Sequence, residues 1–301
     1  MFNGKSKGAT RGVTLRRLRP ITFFDVIIYA VMIYVLLICF IPFMYMFALS
    51  FSSSREILNN RVGLWPRGFT SAAYVKIFEY PNFFRAYGYT IFYTFFGTLI
   101  ALALTVLFAY PLSKNFLRGN KFLMKIVVFS MFFSGGLIPT YLLISNLKLT
   151  GTPLAILLPS AISPFNMIIF ISFFKALPSE IEDAALIDGL GYMGILTRIV
   201  LPLSTAAIAT IGLYYAVAFW NDWFNALIYL RSSQYPVMLF LRNIVNGTLM
   251  MGEGAGSAEG QNLGISIKAA VIIVSTLPII ILYPMLQRFF IAGLTVGSVK
   301  G

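Results

Sequence analysis

Apolar residues run along this chain in long uncharged stretches. They do not follow the alternation of a half-buried strand or the narrow stripe of a surface helix. Between successive ionisable residues lie six windows, 26–54, 86–113, 126–147, 149–174, 199–221 and 269–287, each 19 to 29 residues long. A helix needs about 20 residues to cross the hydrocarbon core of a bilayer, and only helices or closed barrels satisfy their backbone there. A barrel would alternate polarity over segments of about 10 residues, and these windows do not. The pattern predicts an all-α polytopic membrane protein with six transmembrane helices. The third and fourth are divided only by Lys148 and a Thr150-Gly151-Thr152-Pro153 turn. The run after Asp25 is too long for a cleaved signal, and no Ala-x-Ala site follows it, so it reads as an anchor.

Organisation follows from the same pattern. We expect a basic segment at 1–24, one membrane domain at 25–290 with a cytoplasmic connection at 176–198, and a tail at 291–301. Residues 51–83 read as an interfacial segment outside the membrane, and 231–264 as a second outer excursion whose Gly-rich stretch Met251–Gly264 is expected to be mobile. No clear internal repeat is present.

Composition agrees with the windows. Only 11% of the 301 residues are charged against 58% apolar or aromatic, less than half the usual share of charge in a soluble domain. With no His and one Cys, a Ser-His-Asp or Cys-His nucleophile, an imidazole metal site, an internal disulfide and a thiolate zinc site are all excluded. The formal charge of +13 would suggest nucleic acid in a soluble chain. Here Lys5, Lys7, Arg11, Arg16, Arg17 and Arg19 precede the first window, and Lys114, Arg118, Lys121 and Lys125 follow the second. Basic residues in short loops stay on the cytoplasmic side. Both termini and the second and fourth connections are therefore expected in the cytoplasm, with that charge against anionic lipid headgroups and no nucleic-acid partner.

The fourth connection does not read as a loop. Pro178 breaks the preceding helix, and Ser179 with Glu182 has capping-box spacing. Glu180, Glu182 and Asp183 crowd a first helical turn, where the helix dipole favours acids, and Gly189 and Gly191 supply a stop. Leu201-Pro202 then opens the next span. Four of the ten acids in the chain, Glu180, Glu182, Asp183 and Asp188, sit here.

Asp183-Ala184-Ala185, Gly189, Ile199 and Leu201-Pro202 resemble the cytoplasmic loop E-A-A-x3-G-x9-I-x-L-P of bacterial ABC-importer permeases. Asp183 stands for the Glu of that motif, with Glu182 just before it. Pro42-Phe43, Ser50-Phe51-Ser52, Leu64-Trp65-Pro66, the run Phe133–Thr140, Trp220-Asn221 and the tail from Gly293 are similar to the MalG-type carbohydrate branch. Within it, Ser134–Thr140 is similar to LplC-like permeases, a subgroup that includes membrane subunits of importers for acidic oligosaccharides such as alginate. The resemblance implies a subunit of the bacterial cytoplasmic membrane with the type I importer fold. It also implies a heterodimer with a second permease, two ATP-binding-cassette ATPases and an extracytoplasmic solute-binding protein. It places Glu182, Asp183, Ala184, Ala185, Asp188, Gly189 and Pro202 in the coupling to the ATPase, toward which the tail Ser298–Gly301 would also reach.

The chain lacks an engine of its own. Its one Gly-Lys-Ser, Gly4-Lys5-Ser6, has no room for the first Gly of a phosphate loop. No cofactor is expected on this chain, ATP and magnesium being used by the partner ATPase. Five of the six spans lack any acid or base in their interior for an ion relay, and Asp222, toward one end of the fifth, is the single candidate.

Sugars are gripped by aromatic faces and by polar groups that meet hydroxyls. Trp220, Asn221, Asp222, Trp223 and Asn225, after Tyr214 and Tyr215, are candidates for a substrate pathway, as are Ser163 and Asn166 beside Pro159 and Pro164. An interfacial aromatic belt is the competing reading of the two Trp, and Ser134-Gly135-Gly136 is expected to permit close helix contact. The function expected is import of a carbohydrate by alternating access. A non-sugar solute and a polytopic lipid-modifying enzyme are the alternatives.

Overall fold

The computed structural model describes residues 22–114, 116–246 and 258–297. The N-terminal basic run, the Gly-rich stretch from Met251 to Ser257 and the tail Ser298–Gly301 lie outside them. Every regular element described is helical. Helix α1 (Phe23–Ser50) fills the first window, the short α2 (Ser54–Leu58) and α3 (Ala72–Glu79) follow, and α4 (Phe83–Ser113) fills the second. Then come α5 (Asn120–Phe132), α6 (Leu137–Asn146), α7 (Leu154–Leu157), α8 (Pro164–Lys175) and α9 (Ser179–Ile187). A chain of short pieces leads on: α10 (Tyr192–Ile195), a π-turn at Leu196–Val200, and α11 (Leu201–Leu203). Helices α12 (Thr205–Trp220), α13 (Phe224–Tyr229), α14 (Val237–Val245) and α15 (Ala258–Gly297) complete the order. Helix α15 carries the sixth window and runs on through 291–297, past the expected start of the tail.

Among the described residues three helices are long and apolar enough to cross alone, in α1, α4 and the Gly264–Leu282 part of α15. The third window does not form a straight span. Helices α5 and α6 are bent 110° apart, because Gly136 takes φ +84° and the Gly136 carbonyl is turned to accept from Thr140. Within the described residues of this subunit Ser134-Gly135-Gly136 makes no close helix contact, all three residues being exposed at the break. The fourth window holds α7 and α8, and α8, with 12 residues, is short of a crossing.

The fifth span also starts later than expected. Pro202 has no N–H for the Arg198 carbonyl, and the backbone widens into the π-turn just before it. The buried Ser204 hydroxyl donates to the Val200 carbonyl at 2.6 Å, and the chain turns there by 84°. Leu201-Pro202 thus closes a helix at an angle to the span, which begins at Thr205.

Helix α4 is the hub, packing on α8 and α12 along much of its length. Gly97 makes that possible: a Cβ there would meet the Phe219 ring at 2.7 Å. One core gathers Tyr93, Phe170, Phe174, Ile195 and Ile211 between these helices. A second, outer core holds Ile77, Phe83, Trp220, Val237 and Val271. The 51–83 excursion is pinned down, with the Arg67 amide donating to the Ser52 hydroxyl at 3.0 Å and Ser50 bonded to Tyr74 at 2.9 Å. The apolar residues of α1, by contrast, are exposed almost throughout, which only lipid or another membrane protein tolerates.

Candidate functional site

At one end of the α4 hub lies α9, and the sequence explains its limits. Pro178 takes the N-cap position. At the other end Gly189 adopts φ +85°, a left-handed conformation that suits Gly. Its N–H donates to the Leu186 carbonyl and that of Leu190 to the Ala185 carbonyl, both at 3.0 Å. This is the double closure of a Schellman end, with Leu190 packed back on the core.

The expected capping box does not form. Ser179 is already helical, and no side chain caps the start. Glu182 turns inward instead, where the Lys114 ammonium donates to its Oε1 at 2.5 Å and the Tyr110 hydroxyl donates to Oε2 at 3.2 Å. Both charged side chains are only 14% exposed, and the ammonium sits 4.5 Å from the centre of the Tyr110 ring. A carboxylate held this way is not free to fold back onto its own helix. Ala185 is buried too, while Asp183, Ala184, Asp188 and Gly189 face outward. Ile187, 86% exposed, and Met193 add an apolar surface beside those acids. Pro202 lies beyond, at the exposed end of the bent helix.

The second feature is a cavity of about 450 Å³ between the start of α8 and the end of α12. Ser160, Ser163, Asn166, Tyr215, Asn221, Asp222 and Asn225 supply its polar lining, and Ile162, Ala218 and Phe219 its apolar part. Ser163 caps α8. Its backbone N–H donates to the Tyr215 hydroxyl at 2.9 Å, which is bonded in turn to the buried Thr105 of α4 at 2.7 Å. Tyr215 therefore ties three helices together at the cavity wall. The chain breaks after Trp220, and Asp222 accepts from the Asn225 backbone N–H at 3.1 Å and side-chain amide at 3.0 Å. Asn221 bends back to donate to the Val217 carbonyl at 2.9 Å. Asn166 is 6% exposed, and its side chain makes no hydrogen bond among the described residues.

Five of the seven residues expected along a substrate path thus meet at one cavity, and the two Trp do not. Trp220 is buried in the outer core, donating from its indole to the Ser275 carbonyl at 3.1 Å. Trp223 lies under the Arg242 guanidinium, 3.4 Å from the ring centre.

Comparison with known proteins decides the family. No family model matches the chain. Protein LplC of Bacillus subtilis is 44% identical over 88% of this chain and 90% of its own length. The polygalacturonan/rhamnogalacturonan transport system permease protein YtcP of the same organism is 41% identical over 92% and 98%. The chain belongs to the ABC-importer permeases, in their MalG-like carbohydrate branch. The permease fold agrees: a solved bacterial ABC transporter involved in import of the acidic polysaccharide alginate superposes with a TM-score of 0.79 at 31% identity, covering 89% of this chain and 96% of that one. The permease is a membrane protein and a transport component, not an enzyme.

Sequence reasoning did not single out Tyr110, Thr105 or Lys114 as functional. Thr105 and Tyr110 lie within an uncharged window, and Lys114 was read only as a topological charge. Its distinguishing signal is position: Lys114 is the first charge after the second window.

Proposed function

We propose that this permease passes oligosaccharides, including uronate-rich ones, through the cavity at Asn166 and Asp222. Alternating access is driven by partner ATPases that dock on the outward side of α9. The observation that carries the reading is the cavity itself, with the Asn166 side-chain amide on its wall and no hydrogen bond from that amide to any described residue. A sugar hydroxyl supplies both a donor and an acceptor to such an amide. Tyr215, Ser163 and the Asp222–Asn225 pair add further polar groups, while Phe219 and Ile162 meet C–H faces.

The relatives motivate the uronate class, since polygalacturonan and alginate are acidic polymers. This subunit's share of the cavity holds one carboxylate and no cation. It therefore serves hydroxyls. The cytoplasmic membrane as location, both termini inside, completes the reading, supported by the basic residues before α1 and between α4 and α5.

Uptake by the complex reconstituted in liposomes with its second permease, ATPases and binding protein tests this. Oligogalacturonide uptake that needs ATP and falls in Asn166→Leu is the expected result. Uptake unchanged in Asn166→Leu, or no uptake of any acidic or neutral oligosaccharide, rejects it.

A further inference from the structure

We infer that Glu182 and Lys114 form the strut that carries motion from α9 into the cavity wall, so that Glu182 acts inside the permease and not on the ATPase. This rests on the importer reading above. The ion pair is the only one among the described residues, and it joins positions 68 apart in the chain. It is held on three sides: by the two charges, by the Tyr110 hydroxyl on the second oxygen, and by the ring beneath the ammonium. Glu182 is the acid of α9 that reaches the hub, since Glu180, Asp183 and Asp188 face outward.

The other end of the path is equally specific. Lys114 is the residue that ends α4, and Thr105 lies on α4 nine positions earlier, about 13 Å of helix rise away. Thr105 meets the Tyr215 hydroxyl, and Tyr215 receives the Ser163 N–H at the lip of the cavity. A push on α9 thus reaches α4 through a charge-assisted contact, and α4 reaches both walls of the cavity through one phenol. Exposed acids elsewhere on α9 have no such connection. Coupling of this kind needs a contact that holds in both directions of motion, and a bidentate, ring-backed ion pair resists pulling as well as pushing.

The test uses the full reconstituted importer and reads sugar imported per ATP hydrolysed, together with co-purification of the ATPases. Lys114→Met and Glu182→Gln are expected to keep the ATPases bound and hydrolysing, while import per ATP falls about tenfold. Lys114→Arg is expected to retain coupling, and the exchange Lys114→Glu with Glu182→Lys to restore most of it. Asp183→Lys provides the contrast, with loss of ATPase capture itself. Wild-type import per ATP in both single variants overturns the inference. So does loss of ATPase capture in them, which would place Glu182 on the docking surface, or failure of the exchanged pair to recover. A wild-type complex that imports no oligosaccharide would instead count against the importer reading, leaving the two failures distinguishable.

Discussion

The two ends of this permease handle polar groups in opposite ways. At α9 the inward carboxylate is saturated: Glu182 has Lys114 on both oxygens and Tyr110 on one of them. In the cavity, Asn166 is mostly buried, yet its side-chain amide makes no hydrogen bond to any described residue and is left to solvent or solute. A part that transmits force gains from contacts closed within the chain. A part that receives a solute must leave donors and acceptors open, and their desolvation is offset only when the solute arrives. The contrast separates machine from site without any bound ligand to mark either.

Several substitutions would break or sharpen it. The largest effect is expected from Gly189→Asp. Its φ of +85° costs a side chain about 1–2 kcal/mol, and the added carboxylate stands beside the exposed Asp188. Transport should be abolished while the chain still inserts, as protease mapping of the loops would show. Next comes Asn166→Leu, which closes the open end of the comparison. We expect sugar uptake to fall about tenfold or more with the ATPases still bound, measured as initial rates in liposomes. Gly97→Ala addresses the frame that both ends share. A Cβ at 2.7 Å from the Phe219 ring should lower stability by about 1–3 kcal/mol, read as an earlier thermal transition in detergent. Asp222→Asn removes the one charge from the cavity and should raise the uptake ratio of acidic to neutral oligosaccharides several-fold, about 1 kcal/mol. Trp223→Phe should do least, weakening the cation–π contact with Arg242 by less than about 1 kcal/mol with uptake near wild type.

Much of this was legible in the chain itself, for physical reasons. Windows free of charge must be helices in lipid, so α1, α4 and α15 could be read directly. The acids, small residues and Gly189 between two spans marked α9, because caps and stops are local chemistry. Asn221, Asp222 and Asn225 stood out because polar groups are costly near a bilayer. What could not be read depends on contacts far apart in sequence. Glu182 has the spacing of a cap, but the pairing with Lys114 across 68 positions wins. Ser204 looks like any small residue in an apolar run until its hydroxyl bonds back to Val200 and the helix turns. The two Trp carried the right chemistry for a sugar, yet their indoles are claimed by Ser275 and Arg242.

The break between α5 and α6 has a consequence for what can lie beside it in the membrane. Ser134-Gly135-Gly136 interrupts the third window near its middle and is exposed in the isolated chain. Bare non-helical backbone at that depth is tolerated only where protein or water covers it. In the assembled importer the break therefore belongs beside a neighbouring membrane protein or a water-filled space, and not against lipid.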